Sequence, residues 1–441
     1  MDEQLSIEIE NSSANLPPII TPKFGICLYI NSLTYVCLQA RLVRSILYGV
    51  QLALWQSYIG LSTMPSALHS SVLSLSHQLL LKAALLPPDQ ALLYWQTWQQ
   101  CADGAITNSL NTLDTDGQRL LPLIFRNLET TSDPLLPHLR IHYLRTWTTN
   151  HALLHTLYPA LHGLQAEGCE VLLIKGMALA LRYYNDLGVR PAADVDLMVP
   201  LHQADRALDL LGQPQYGFEP TRFELRHRRL LHAMHLFNKH GADIDLHWHL
   251  LHQHAYPGTD APFWADKQAM RLPNGQTVYT LSATHQIFHN LIHGFRWSKT
   301  AAIRWIPDTY YICKSQVPVD WHTLLDLAER YQMRVPVTQG LRLLQSLLDL
   351  ELPPSIQVRL ADMVPSPDEQ AYFRLLGSVS NPLHKPVRFI RKHYSAHRLF
   401  RQGRDGLSFP AYLLRSLYLR LEWPYSDLYQ RTQLPPNPPV L

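Results

Sequence analysis

Residues 171–199, VLLIKGMALALRYYNDLGVRPAADVDLMV, constrain the fold of this chain more than any other stretch. Val171-Leu172-Leu173-Ile174 is an apolar run of the length of a buried strand. Lys175-Gly176 breaks it, and residues 177–184, rich in Ala and Leu and free of Gly and Pro, predict a helix. Asn185, Gly188 and Pro191 predict a loop, and Asp194-Val-Asp196-Leu-Met-Val predicts a second strand. Alternate strand residues share a face, so Asp194 and Asp196 look one way while Val195 and Leu197 look into the core. Neighbouring carboxylates repel, and a cation between them removes that cost. Oxygen ligands with no Cys nearby favour magnesium, with manganese as the alternative. The Gly176 turn opens a helix N-terminus, whose free N–H groups and dipole suit a phosphate.

Two further Asp-x-Asp pairs occur. Asp114-Thr-Asp116-Gly117 is polar throughout and is expected to be only a turn. Asp243-Ile-Asp245 is flanked by apolar residues, which places it on a strand. Residues 231–237 and 242–250, around Lys239-His240-Gly241, read as a β-hairpin. Its second strand puts Asp243, Asp245, His247 and His249 on one face and Ile244, Leu246 and Trp248 on the other. Asp245 is a candidate further carboxylate on that face. Asp243, one pleat earlier, is the alternative, and it also fits a solvated strand end. A rival is a zinc or other transition-metal site made by His247, His249, His252 and His254, although no Cys lies close.

The apolar strand, the Gly turn opening a helix, the apolar-flanked D-x-D and the later apolar-flanked carboxylate together resemble the nucleotidyltransferase superfamily with the DNA polymerase β-type palm. More closely, the chain resembles the poorly characterised bacterial branch known simply as nucleotidyltransferase family proteins. The matching residues are Leu173-Ile-Lys-Gly176, Tyr183-Tyr184, Arg190-Pro, Asp194-Val-Asp-Leu-Met-Val199, Ile244-Asp-Leu-His-Trp248, His293-Gly294, Trp305-Ile-Pro-Asp308 and Asp320-Trp321. The likeness runs from about Ser66 to at least Pro353. The chain departs from the wider superfamily at its phosphate grip. Lys175-Gly176 stands where Gly-Ser is usual, and the gap to the D-x-D is longer.

The resemblance implies an α+β fold, a small mixed palm sheet flanked by helical N- and C-terminal regions. It implies transfer of a nucleoside monophosphate from a nucleoside triphosphate, ATP first among donors, to an acceptor hydroxyl, with pyrophosphate leaving. Asp194, Asp196 and Asp245 are the expected catalytic and metal-binding carboxylates. Lys175, Gly176, Arg190, His293 and Asp308 are the expected nucleotide-binding residues. The acceptor stays open among small molecules, peptides and proteins, with nucleic acid less favoured. Oligomeric state stays open too. Two other readings compete: a nucleotide-binding scaffold without catalysis, and a metal-dependent phosphohydrolase using water as acceptor.

The 441 residues suffice for two or three domains and a large core. A net charge of +3 does not by itself call for nucleic acid. Five scattered cysteines without a C-x-x-C pair argue for a reducing compartment, and the chain is expected in the cytoplasm. Residues 1–63 are expected to be a poorly ordered or non-native extension. Arg41 and Arg44 cut its apolar part into runs shorter than the roughly 18–20 residues of a membrane span, so none is expected. The family-like pattern starts just after Met64, which is the expected native start; an intact mass beginning at Met1 contradicts this. Residues 64–165 read as helical, 166–255 as the palm and 256–380 as a helical C-terminal domain. In the last of these, His285, His289 and His293 form one stripe, Trp305 reads as core, with stacking on a base as the alternative, and Asp320 as a helix cap. Residues 381–441 read as a basic helical stretch and a Pro-rich tail. Between 385 and 420, nine Lys or Arg face the single acid Asp405, and this is expected to be a solvated face, with contact to nucleic acid, an anionic membrane or an acidic partner as the alternatives.

Overall fold

Two of the apolar runs form the centre of the sheet. β1 (Leu172–Ile174) and β2 (Val195–Met198) pair antiparallel, with Ile174 opposite Asp196. In this computed structural model the described residues are 73–101, 110, 113–238, 243–294, 303–377, 385–400 and 407–419, and all lie in the unit Thr63–Leu441. The 1–63 extension, the turn at 239–241, part of the basic stretch and the Pro-rich tail lie outside them.

Around this centre stand β3 (Glu219–Pro220), β4 (Ala233–Phe237), β5 (Asp243–His247), β6 (Gln268–Arg271) and β7 (Thr277–Thr280), in the sheet order β3-β4-β5-β2-β1-β7-β6. The predicted hairpin is present: β4 and β5 pair antiparallel, Ala233 opposite His247 and Phe237 opposite Asp243. β5 and β2 pair in parallel, which sets Asp196 beside Asp245. The sheet does not end with the hairpin. β6 and β7 arise from residues expected to open a helical domain, and β7 pairs with β1 in parallel. The local cause is the Asn274-Gly275 turn, with Gly275 at φ 87°, followed by alternating exposed and buried residues along β7.

Leu173, Val195, Leu197, Ile244 and Leu246 fill one face of the sheet, under the end of the long helix Leu136–Ala166 and the helix Ala204–Leu211. Burying each is worth about 2 kcal/mol. A one-residue slip would turn all of them outward, so together they fix the register. The opposite face then carries Leu172, Ile174, Asp196, Met198, Asp245 and His247 by alternation. Leu172, Ile174 and Met198 join a second core, which unites helices before the sheet (Leu75–Leu85, Pro88–Cys101, Thr115–Leu128) with helices after it (Ala283–Gly294, Trp305–Lys314, Trp321–Arg330, Arg334–Leu348). The two helical regions thus share one interior. Phe400, in the basic stretch, is buried against Tyr372 and His254, and Arg388 donates to the Leu375 carbonyl, so that stretch also packs inward. Among the described residues no helix is long and apolar enough to cross a membrane.

Candidate functional site

A helix starts at once after β1, as Lys175–Leu179, and continues as a π turn, Ala180–Tyr184, to Asn185 in the left-handed region. Lys175 itself has φ 52°, a backbone conformation that costs a non-glycine residue energy and that recurs at functional sites. Its ammonium turns to the sheet. Nζ lies 2.5 Å from Asp196 Oδ1, 2.8 Å from His247 Nε2 and 3.3 Å from Asp245 Oδ2. His247 Nε2 is also 2.8 Å from Asp245 Oδ2. Ligand atoms of Asp196, Asp245 and His247 all fall within 4.8 Å of one another.

The electrostatics follow from this crowding. Burial disfavours charge on Asp245, but His247, Lys175 and His235 outweigh it and hold its carboxyl well below the ordinary range. At Asp196 burial is likewise outweighed by Lys175 and His247, and the carboxyl is lowered. Asp194 differs. It precedes β2 instead of lying in it and is only half-buried. Burial and repulsion from Asp196 push its carboxyl up to about 6. Asp243, 3.9 Å away, is the main cause that pushes the His235 imidazole up to about 9.

These residues fit a divalent cation. Three acceptor atoms converge on one ammonium, and His247 Nε2 cannot both accept from Lys175 and donate to Asp245. If it accepts, its proton sits on Nδ1, which is buried without a hydrogen-bond partner among the described residues. A cation at the ammonium's place removes that conflict. Two carboxylates with one imidazole suit magnesium or manganese, the imidazole tilting the set toward the softer ion. The His tetrad does not gather: His249 bonds Asp260 at 2.6 Å and His254 faces the Tyr331 carbonyl at 2.9 Å.

Arg190 and Asp308, 118 positions apart, meet in a bidentate pair with both contacts at 2.8 Å. The Tyr184 hydroxyl donates to Asp308 at 2.9 Å, and its ring stacks on Tyr311. Burial disfavours the Arg190 charge, yet Asp308 outweighs it and raises the guanidinium above its ordinary range. The pair ties the Trp305–Lys314 helix to the loop before β2. It also touches the Lys175-Gly176 turn, since a Cβ on Gly176 would come within 3.2 Å of Arg190 Nη1. Of the expected residues, the structure therefore gathers Lys175, Asp196 and Asp245 in one group and Gly176, Arg190 and Asp308 in a second beside it. His293 lies one turn beyond His289 on the helix Ala283–Gly294, the ring centroids 5.5 Å apart. Trp305 is core, packed so tightly on Gly294 that a Cβ there would sit 2.0 Å from its ring. Asp114 caps the helix Thr115–Leu128, accepting from Gly117 N at 2.8 Å, and Asp320 caps Trp321–Arg330. Sequence reasoning left His247 out of the carboxylate group, although strand alternation had already put it on the face of Asp245.

A family model described as "Uncharacterised nucleotidyltransferase" matches residues 115–349, a little over half of the chain. A solved structure described as an antigenic nucleotidyltransferase-like protein from Paracoccidioides brasiliensis is similar at 16% identity, over 48% of this chain and 94% of its own, with a TM-score of 0.28. No curated protein matches.

Proposed function

The chain belongs to the uncharacterised nucleotidyltransferase family, and from that premise we propose that it transfers a nucleoside monophosphate from a nucleoside triphosphate, ATP first among donors, to an acceptor hydroxyl. One observation carries the proposal: Asp196 and Asp245 stand side by side on parallel strands, with His247 Nε2 in the same cluster. In this reading Asp196, Asp245 and His247 hold magnesium or manganese, and Asp194 adds a further carboxylate at the rim. When bound, the metal supplies charge neutralisation at the phosphates and at the attacking and leaving oxygens. The hydroxyl gives its proton to a carboxylate of the cluster as its oxygen forms a bond to the α-phosphorus, the α–β bridging bond breaks, and pyrophosphate leaves with its electron pair. Lys175 keeps the carboxylates together before the substrate arrives. Its four-carbon stem then lets the ammonium move to a phosphate oxygen, while Gly176 lets the backbone come close. Arg190 and Asp308 act by fixing the wall behind Gly176.

The test is calorimetry of a non-hydrolysable ATP analogue with and without magnesium. Wild type should bind only with the metal, and Asp196→Asn or Asp245→Asn should weaken binding by about a hundredfold or more, the scale of two lost charge-assisted contacts. Equal binding by Asp196→Asn and wild type contradicts the assignment.

A further inference from the structure

A cleft opens on the other side of the Arg190–Asp308 pair. Its walls include Arg119 from the helix Thr115–Leu128, Arg190 and Tyr184 from the segment before β2, and Arg304 and Asp308 at the head of Trp305–Lys314. Beside the apolar Leu120, Leu123 and Val189, three arginines are among its wall residues. The two carboxylates near them are already engaged. Asp308 takes two bonds from Arg190 and one from Tyr184. Asp116 faces Arg119 at 3.5 Å and accepts from Ile303 N at 3.3 Å. Arg304 is half-buried and has neither an ion pair nor a side-chain hydrogen bond among the described residues. Burial, then Arg119 and Arg190, push its guanidinium below the ordinary range against the pull of Asp308 and Asp116.

A half-buried arginine beside two others is held at a cost in stability, and among the described residues neither nearby carboxylate forms an ion pair with it. Planar guanidinium groups match the oxygens of a phosphate, which accept in pairs. We propose that this cleft is a binding site for a phosphate-type oxyanion, held by Arg304 and Arg119, with the Arg190–Asp308 pair as its rigid back wall. The oxyanion comes either from the nucleotide's own phosphates or from a phosphorylated acceptor. The site stands on its own charges. Only the choice between those sources rests on the transfer reading.

Inorganic pyrophosphate is the probe, titrated calorimetrically at low ionic strength without divalent metal into wild type, Arg304→Gln, Arg119→Gln and Asp196→Asn. Wild type and Asp196→Asn should bind it, and Arg304→Gln should bind at least tenfold more weakly, with Arg119→Gln also weakened. Binding by Asp196→Asn keeps this result separate from the fate of the metal site. Absence of binding to wild type, or equal binding by both arginine variants, overturns the proposal. Thermal melting is the second readout. Without ligand, Arg304→Gln should melt at or above the wild-type temperature, because a repulsion has been removed; a melt several degrees lower marks Arg304 as a structural residue and also overturns it. A magnesium–ATP analogue then separates the sources. Weaker binding to Arg304→Gln assigns the anion to the nucleotide, and unchanged binding assigns it to the acceptor.

Discussion

Two charged clusters share the Lys175-Gly176 turn, and they are balanced in opposite ways. Around Lys175 stand Asp194, Asp196 and Asp245 with one ammonium among them. Around Asp308 stand Arg190 and Arg304, with Arg119 across the cleft. Among the described residues, carboxylates outnumber ammonium groups in the first cluster and guanidiniums outnumber carboxylates in the second. Within each, the paired portion differs as well. Arg190 and Asp308 satisfy one another in full, whereas Lys175 is divided among three acceptors. Complete pairing makes a joint between elements, and incomplete pairing leaves charge for a ligand of the opposite sign. In the readings proposed above, a metal belongs with the first cluster and the oxyanion of the cleft with the second.

The comparison breaks most visibly at its fully paired member. Asp308→Asn leaves Arg190 buried with half its partner, and such losses cost about 3–5 kcal/mol. Urea denaturation should show that drop, while divalent binding to the folded variant stays as in wild type. A drop under about 1 kcal/mol would mean the pair is no joint. Lys175→Met gives a smaller and reversible effect. Without metal it leaves Asp196 and Asp245 with only the imidazoles of His247 and His235 to offset their repulsion, at a cost of about 1–3 kcal/mol. Magnesium should restore more stability to this variant than to wild type, as seen in melts with and without the ion. An equal gain in both would show that the lysine does not occupy the cation's place.

The smallest effect lies away from both clusters. His285 is buried beside Phe263, and burial holds its imidazole below the usual range despite Asp266 at 3.6 Å. A lowered folded pKa means that the unfolded chain binds more protons. His285 therefore costs no stability above the ordinary histidine range near 6.5, and a penalty develops as pH falls through it. Stability should fall between about pH 7 and 5, less steeply in His285→Gln. Identical slopes in the two proteins refute this.

Much of the first cluster was legible in the sequence. Apolar alternation gives β2, β4 and β5, and with them the faces of Asp196, Asp245 and His247. The Asp320 cap is likewise local, set by bonds three residues along, whereas Asp114, expected to be only a turn, makes the same kind of cap on the helix Thr115–Leu128. The second cluster was not legible. Asp308 and Arg190 are separated by 118 positions, and nothing periodic links them. Arg304 and Arg119 meet only because helices before and after the sheet share one core. β6 escaped notice because Gln268–Arg271 has a single buried residue, Met270, and so no alternation to read. Lys175 was expected to reach a phosphate, since a motif shows which residues lie near a turn but not where a long side chain rests without its ligand.

In the proposed function Asp196, Asp245 and His247 form a cation site, and Lys175 takes the cation's place before metal binds. The most direct test is a manganese titration followed by electron paramagnetic resonance, comparing wild type, Asp196→Asn, Asp245→Asn and Lys175→Met. The account predicts binding in wild type, loss of about tenfold or more in each Asn variant, and tighter binding when Lys175 is removed. Manganese binding that is the same in all four proteins would contradict it.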